Sequence, residues 1–198
     1  MSYSYRIEQA IRAAAILHKN QVRKGGTPLP YVTHPYAVAM LVSDYTKDED
    51  TIIAALLHDT LEDTDYTESE LTEDFGNTVR ELVTAVTEQR KDTVEKLPWY
   101  KSRKQHLTAL KNAPENALII AAADKIHNMR CAVEEYYDKH AEFIADFGGS
   151  LEERMIAYQE FSNFLNRHLK NEILAEFNHV FDEYKKFIER MGRNQSDT

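Results

Sequence analysis

Apolar residues recur along this chain every three or four positions, the period of a helix face and not of a strand. Ile7, Ile11, Ala14 and His18 form one such stripe. Val38, Leu41 and Val42 form a second after Pro35, whose fixed φ suits a first helical turn. The acidic run Asp48-Glu49-Asp50 complements a helix N-terminus, and Thr51–Thr64 behind it reads as one helix with the stripe Ile52, Ala55, Leu56. Thr67-Glu68-Ser69-Glu70 and Ser150-Leu151-Glu152-Glu153 both fit the capping box, and Gly76 closes the helix that the first one opens. Val79, Leu82, Val83 and Val86 predict a further helix, and Trp99–Lys111 another. Pro114 starts a long one through Ala117, Ile120, Ala121, Asp124 and Asn128. Tyr158, Phe161, Phe164, Phe177, Phe181 and Phe187 recur at helical spacing up to about Met191 and belong to a core. Glu88–Pro98 reads as a mobile polar loop, Gly148–Gly149 as a break, and Gly192–Thr198 as a frayed tail. No alternating run of five or more residues exists, so the fold class is all-α.

Length and composition narrow the classes. The chain has 198 residues, with 42% hydrophobic and 29% charged, which is globular and not disordered. The longest apolar run, Ala117–Ala123, has seven residues against the ~20 of a membrane span. No secretory signal is visible near the N-terminus, and a single cysteine, Cys131, makes a reducing, cytoplasmic location the expectation. The net charge of −9 (24 Lys+Arg against 33 Asp+Glu) disfavours a nucleic acid polymer as partner. A small anionic ligand remains compatible if basic groups gather locally or a cation supplies the charge.

The chemistry concentrates in Leu56-Leu57-His58-Asp59-Thr60-Leu61-Glu62-Asp63-Thr64. On a helix, His58, Asp59, Glu62 and Asp63 fall near 0°, 100°, 40° and 140°, one arc of about 140° beside an apolar run. Three carboxylates crowded at a buried edge repel one another unless something positive sits there. His34 lies between the Gly/Pro loop and the second helix, and Asp124 interrupts the most apolar helix of the chain. Two imidazoles and two carboxylates suit Mn²⁺, Fe²⁺ or Mg²⁺ with open water positions better than a closed structural zinc. Such a site would supply a nucleophile from water and polarise a phosphoryl oxygen, with Glu62 and Asp63 to orient water or relay a proton. Arg23-Lys24-Gly25 is placed to clamp phosphates or stack on a base, and Asn128, one turn after Asp124, to face the same cavity. His127 points about 60° away from Asp124 and reads as a supporting or core residue. Lys101, Arg103 and Lys104 form another basic cluster, while Cys131, His106, His140, His168 and His179 are read as packing or surface.

These stretches resemble, in order, the motifs of the HD-type hydrolase domain of RelA/SpoT proteins and of single-domain small alarmone hydrolases. The residues that carry the likeness are Ala14–Gln21 with Arg23-Lys24-Gly25, Pro30-Tyr31-Val32-Thr33-His34-Pro35, Leu56–Thr64, Phe75-Gly76, Val83–Thr87 and Ala123-Asp124-Lys125-Ile126-His127-Asn128-Met129-Arg130. They span about residues 5–135, and the loop Gly25–Leu29 departs in length from the long-form pattern. The resemblance implies an HD-domain helical bundle; the chain's own pattern places it over 1–148 and adds C-terminal helices over 149–191 packed on the same domain and a disordered tail over 192–198. It implies a Mn²⁺-dependent hydrolase that removes the 3′-pyrophosphate from (p)ppGpp, acting on a small nucleotide with no nucleic acid polymer and no membrane as partner. By motif position His34, His58, Asp59 and Asp124 match metal ligands, Glu62 and Asp63 the catalytic pair, and Arg23, Lys24 and Asn128 nucleotide contacts. Two other readings are open: an HD phosphohydrolase for another nucleotide phosphate, or a non-catalytic nucleotide- or metal-binding sensor.

Overall fold

From Thr51 to Leu57 every side chain is buried, so this helix needs neighbours on all sides. A computed structural model of the chain, which describes residues 3–88, 99–147 and 150–196, supplies them. Among the described residues there are eleven helices. They are α1 Tyr5–Leu17, α2 Thr33–Tyr45, α3 Glu49–Leu57, α4 Thr60–Asp63, α5 Glu68–Phe75, α6 Asn77–Val86, α7 Trp99–Leu110, α8 Glu115–Glu135, α9 His140–Phe147, α10 Leu151–His168 and α11 Ile173–Ser196. The α3 helix is surrounded by α1, α2, α6 and α8. The fold is all-α; among the described residues there is no strand, only a lone antiparallel bridge between Val22 and Pro30.

Local sequence explains most boundaries. Asp48 caps α3 by accepting from Thr51 N at 3.0 Å. Thr67 and Ser150 each form the reciprocal capping box that their spacing predicts, and Gly76 ends α5 at φ +89°, a conformation that favours glycine. The region Thr51–Thr64, however, is not one helix. It breaks after Leu57, where Asp59 takes φ −92° and ψ −5°. Two side chains hold the break by satisfying carbonyls that the helix end leaves open. His58 Nδ1 bonds to Ala55 O at 2.8 Å and the Thr60 hydroxyl donates to Leu57 O at 2.6 Å.

A second correction concerns the end of the chain. The α11 helix continues through Gly192 to Ser196, where a disordered tail was expected. A single glycine costs a helix only about 1 kcal/mol, and here it follows buried Met191 and precedes Arg193, which reaches Glu189 one turn back. Residues 89–98 of the expected mobile loop and the Gly148–Gly149 break lie outside the described residues. The α9 helix, with Phe143 buried on it, was not anticipated.

Of the six aromatics assigned to the core, Phe161, Phe164, Phe177, Phe181 and Phe187 are buried, and Tyr158 is half-buried. The α11 helix lies along α8, and its Phe177 sits 5.8 Å from Phe161 and 6.1 Å from Phe181, ring centre to ring centre. Emptying that position should cost about 3–5 kcal/mol. For a chain of this size, Phe177→Ala should then lower the Tm by roughly 6–20 °C. A thermal melt that moves by less than about 2 °C would show that α11 does not hold the core together.

Candidate metal centre

The break after α3 and the start of α2 bring two imidazoles face to edge, with ring centres 5.1 Å apart. His34, His58 and Asp59 each offer a donor atom, and these three atoms all lie within 4.8 Å of one another. From α8, Asp124 Oδ1 reaches the same two rings, 3.3 Å from His34 Nε2 and 3.9 Å from His58 Nε2. Asp59 Oδ2 lies 3.5 and 3.3 Å from the same nitrogens. Four donors from three separate stretches of the sequence therefore converge on one small volume.

Three of the four donors, Asp59, Asp124 and His58, are fixed by hydrogen bonds of their own, the arrangement that orients metal ligands. Tyr31 donates its hydroxyl hydrogen to Asp59 Oδ2 at 2.7 Å, Lys125 Nζ donates to Asp124 Oδ2 at 2.7 Å, and Asn128 Nδ2 donates to Asp124 Oδ1. His58 is tied by Nδ1 to Ala55 O, and its Nε2 is buried without a hydrogen-bond partner. A neutral His58 donating from Nδ1 must point a lone pair from Nε2. That lone pair faces carboxylate oxygens 3.3 and 3.9 Å away, and such a contact is repulsive unless a cation lies between them. The donor set fits a divalent ion.

Electrostatics agree. Burial keeps His34 below the usual imidazole range, so it stays neutral and able to ligate. Burial alone would raise both acids. Positive neighbours outweigh it, the imidazoles of His58 and His34 at Asp59 whenever those rings are protonated and Lys125 above all at Asp124, so both carboxyls stay low. Burial and the charges of Asp59 and Asp63 push the Tyr31 phenol far up, which keeps it a donor.

The HD domain family matches residues 10–146, more than half of the chain. This chain belongs to the HD-domain family. Among relatives, the mouse protein named guanosine-3′,5′-bis(diphosphate) 3′-pyrophosphohydrolase MESH1 is 32% identical over 156 residues, which is 72% of this chain and 84% of that one. The probable GTP pyrophosphokinase of Mycobacterium leprae is 39% identical over 124 residues, 63% of this chain, and the match spans only 15% of that protein's length. A solved structure of a metazoan ortholog of SpoT, described as hydrolysing ppGpp, shares the fold with a TM-score of 0.76. It is 24% identical, over 92% of this chain and 97% of that one.

Above the HD centre opens a cavity of about 450 Å³ that every predicted site residue lines or floors. Glu62 and Asp63 are on its wall, although the continuous helix that first grouped them does not exist. Asp63 accepts weakly from Tyr31 at 3.4 Å, and its backbone carbonyl accepts from Gln21 Nε2 at 2.6 Å. Arg23 donates to Asn128 Oδ1 at 3.0 Å and stands over the Tyr31 ring. Lys24 is held at the rim by the carbonyl of Asp146 and the face of Phe147. The loop that carries both is closed at its base by Arg23 N to Leu29 O and Tyr31 N to Gln21 O, both 2.9 Å, and turned by Gly25 at φ +128°.

Several wall residues escaped the sequence reading. His106, read as surface or core, is buried beside Glu88, Arg103 and Lys125 and lines the cavity; burial pulls it down to about 4. Of the basic cluster singled out in the sequence as a further phosphate contact, Arg103, which pairs with Glu88 and lies over Trp99, and Lys104 line the cavity, whereas Lys101 is exposed and does not. Cys131, read as packing, packs its Sγ 3.7 Å from His127 Nδ1 and also lines the cavity. Arg154 is only 4% exposed and sits among Trp99, Phe143 and Phe147, 4.8 to 5.4 Å from their ring centres. These contacts come from two other helices, α7 and α9, so no local pattern announces them.

Proposed function

We propose that this HD-domain chain is a metal-dependent hydrolase that removes the 3′-pyrophosphate of guanosine 3′,5′-bis(diphosphate), leaving GDP, or GTP from the pentaphosphate. The observation that carries this reading is the convergence of His34, His58, Asp59 and Asp124 at the floor of a nucleotide-sized cavity. The names of the relatives favour the substrate. The ion is Mn²⁺ in this reading, with Fe²⁺ or Mg²⁺ as substitutes, because two nitrogens and two oxygens leave positions open for water and substrate.

A divalent ion held there supplies Lewis acidity and a nucleophile from water at neutral pH. The residues of the chain do the rest. Arg23 and Lys24 at the rim and Asn128 on α8 hold the nucleotide and place its 3′-phosphorus over the centre. The oxygen of one water bonds to that phosphorus, and the bond from phosphorus to the sugar 3′-oxygen breaks. Pyrophosphate departs, and a proton ends on the 3′-hydroxyl. Glu62 and Asp63, on the same wall, accept the proton of water and return one to the leaving oxygen. Lys125, whose burial is outweighed by the Asp124 carboxylate, remains an ammonium and fixes that ligand's orientation. The C-terminal helices belong to the same unit in this reading, since α10 and α11 both contact α8. Among the described residues no helix is long and apolar enough to cross a membrane, and a reducing cytoplasm suits the sole Cys131.

The direct test is incubation of Mn²⁺-loaded protein with ppGpp, read by anion-exchange chromatography. Equal amounts of GDP and pyrophosphate are expected. Release from other nucleotides but not from ppGpp would refute the substrate, and saturable binding with no turnover under any metal would refute catalysis.

A further inference from the structure

The two imidazoles of the HD centre are held in different ways. His58 gives its Nδ1 hydrogen to the carbonyl of Ala55, and a carbonyl only accepts, so the tautomer of His58 is fixed. His34 meets no carbonyl at that place. Its Nδ1 lies 2.9 Å from Nδ1 of His127, with ring centres 4.8 Å apart. Two neutral ring nitrogens at that distance share one hydrogen, and either ring can own it. Ownership decides what His34 can do. If His34 owns it, Nε2 carries a bare lone pair toward Asp59 and Asp124. If His127 owns it, the hydrogen of His34 sits on Nε2, donates to Asp124 Oδ1 at 3.3 Å, and leaves no lone pair for a cation.

We propose that His127 is a positioning residue: its Nδ1 accepts the Nδ1 hydrogen of His34 and so holds His34 Nε2 bare toward a divalent cation. This inference rests on reading His34 as a metal ligand. The α8 helix places His127 three residues after Asp124, so one rigid element carries both a donor and the group that orients another donor. The ring of His127 is itself packed, because Cys131 Sγ stands 3.7 Å from Nδ1 and 3.8 Å from Nε2. The thiol is only a weak donor, so the shorter 2.9 Å contact from His34 has the stronger claim on the Nδ1 lone pair. For His127 to accept at Nδ1, its own hydrogen must be on Nε2.

The test compares Mn²⁺ binding of the full chain with that of His127→Phe and His127→Gln, by titration followed with electron paramagnetic resonance. Phenylalanine keeps a ring but removes the acceptor, whereas the glutamine side chain restores an acceptor oxygen. His127→Phe should weaken Mn²⁺ by about 10- to 100-fold, and His127→Gln should recover most of that loss. Nitrogen NMR of the wild type loaded with diamagnetic Mg²⁺ should show His127 protonated at Nε2 with its Nδ1 accepting from His34, a readout that does not depend on either variant folding. A purely structural role for His127 would not fix its tautomer that way. The inference is overturned if His127 of the Mg²⁺-loaded chain carries its hydrogen on Nδ1, if His127→Phe binds Mn²⁺ like wild type, or if His127→Gln loses as much as His127→Phe. A wild-type chain that takes up no Mn²⁺ would overturn the metal reading itself, and this inference with it.

Discussion

Replacing Asp59 with asparagine should abolish hydrolysis while leaving the fold intact. The two side chains have the same shape, and the amide oxygen can still accept the hydrogen that Tyr31 gives to Asp59 at 2.7 Å. What disappears is a charge facing His34 and His58 across 3.5 and 3.3 Å. Without it the donor set loses one of its two anionic oxygens, and the ion's affinity falls with it. Lewis-acid assistance is worth several kcal/mol in the transition state. At 1.36 kcal/mol per decade, kcat/KM should fall by about 10³-fold or more. Elemental analysis of the purified variant should find metal well below one ion per chain, with an unchanged circular dichroism spectrum. Full metal content and activity within about tenfold of wild type would remove Asp59 from the centre.

Glu62→Gln should give the second largest loss, of a different kind. Glu62 lines the cavity wall but is not among the four converging donors. Loss of a proton-transfer group typically costs 10²–10⁴-fold, so kcat should drop by about that much with the metal still bound. KM should change little if, as proposed, the nucleotide is held by Arg23, Lys24 and Asn128. Asp63→Asn should behave similarly, and the double variant should be scarcely worse than the poorer single one, as expected of groups that act as a unit. A kcat for Glu62→Gln within twofold to threefold of wild type would leave Asp63 as the proton carrier on its own.

The helical period and the caps made the architecture legible in advance. Thr67, Ser150 and Asp48 announce their helices through side-chain chemistry that operates within four residues. The candidate donors were legible for another reason: Asp124 behind seven apolar residues, and His58-Asp59 at the end of another buried run, are costly unless they are used. Legibility ended where contacts cross between elements. A helical wheel of α8 turns His127 away from Asp124, yet the wheel contains no His34, which arrives from α2 to meet it. Arg154 and His106 read as ordinary polar residues because their burial is made by partners on other helices. The break at His58–Asp59 was hidden in another way. Both residues tolerate a helix, and only the side-chain bonds to Ala55 O and Leu57 O favour stopping there.

The most direct measurement is anomalous diffraction at the manganese absorption edge from crystals of the Mn²⁺-loaded chain. A single strong peak is expected within coordination distance of Nε2 of His34 and His58 and of a carboxylate oxygen each from Asp59 and Asp124. No peak among these four side chains, or a peak that leaves Asp124 outside the coordination sphere, would contradict the proposed centre.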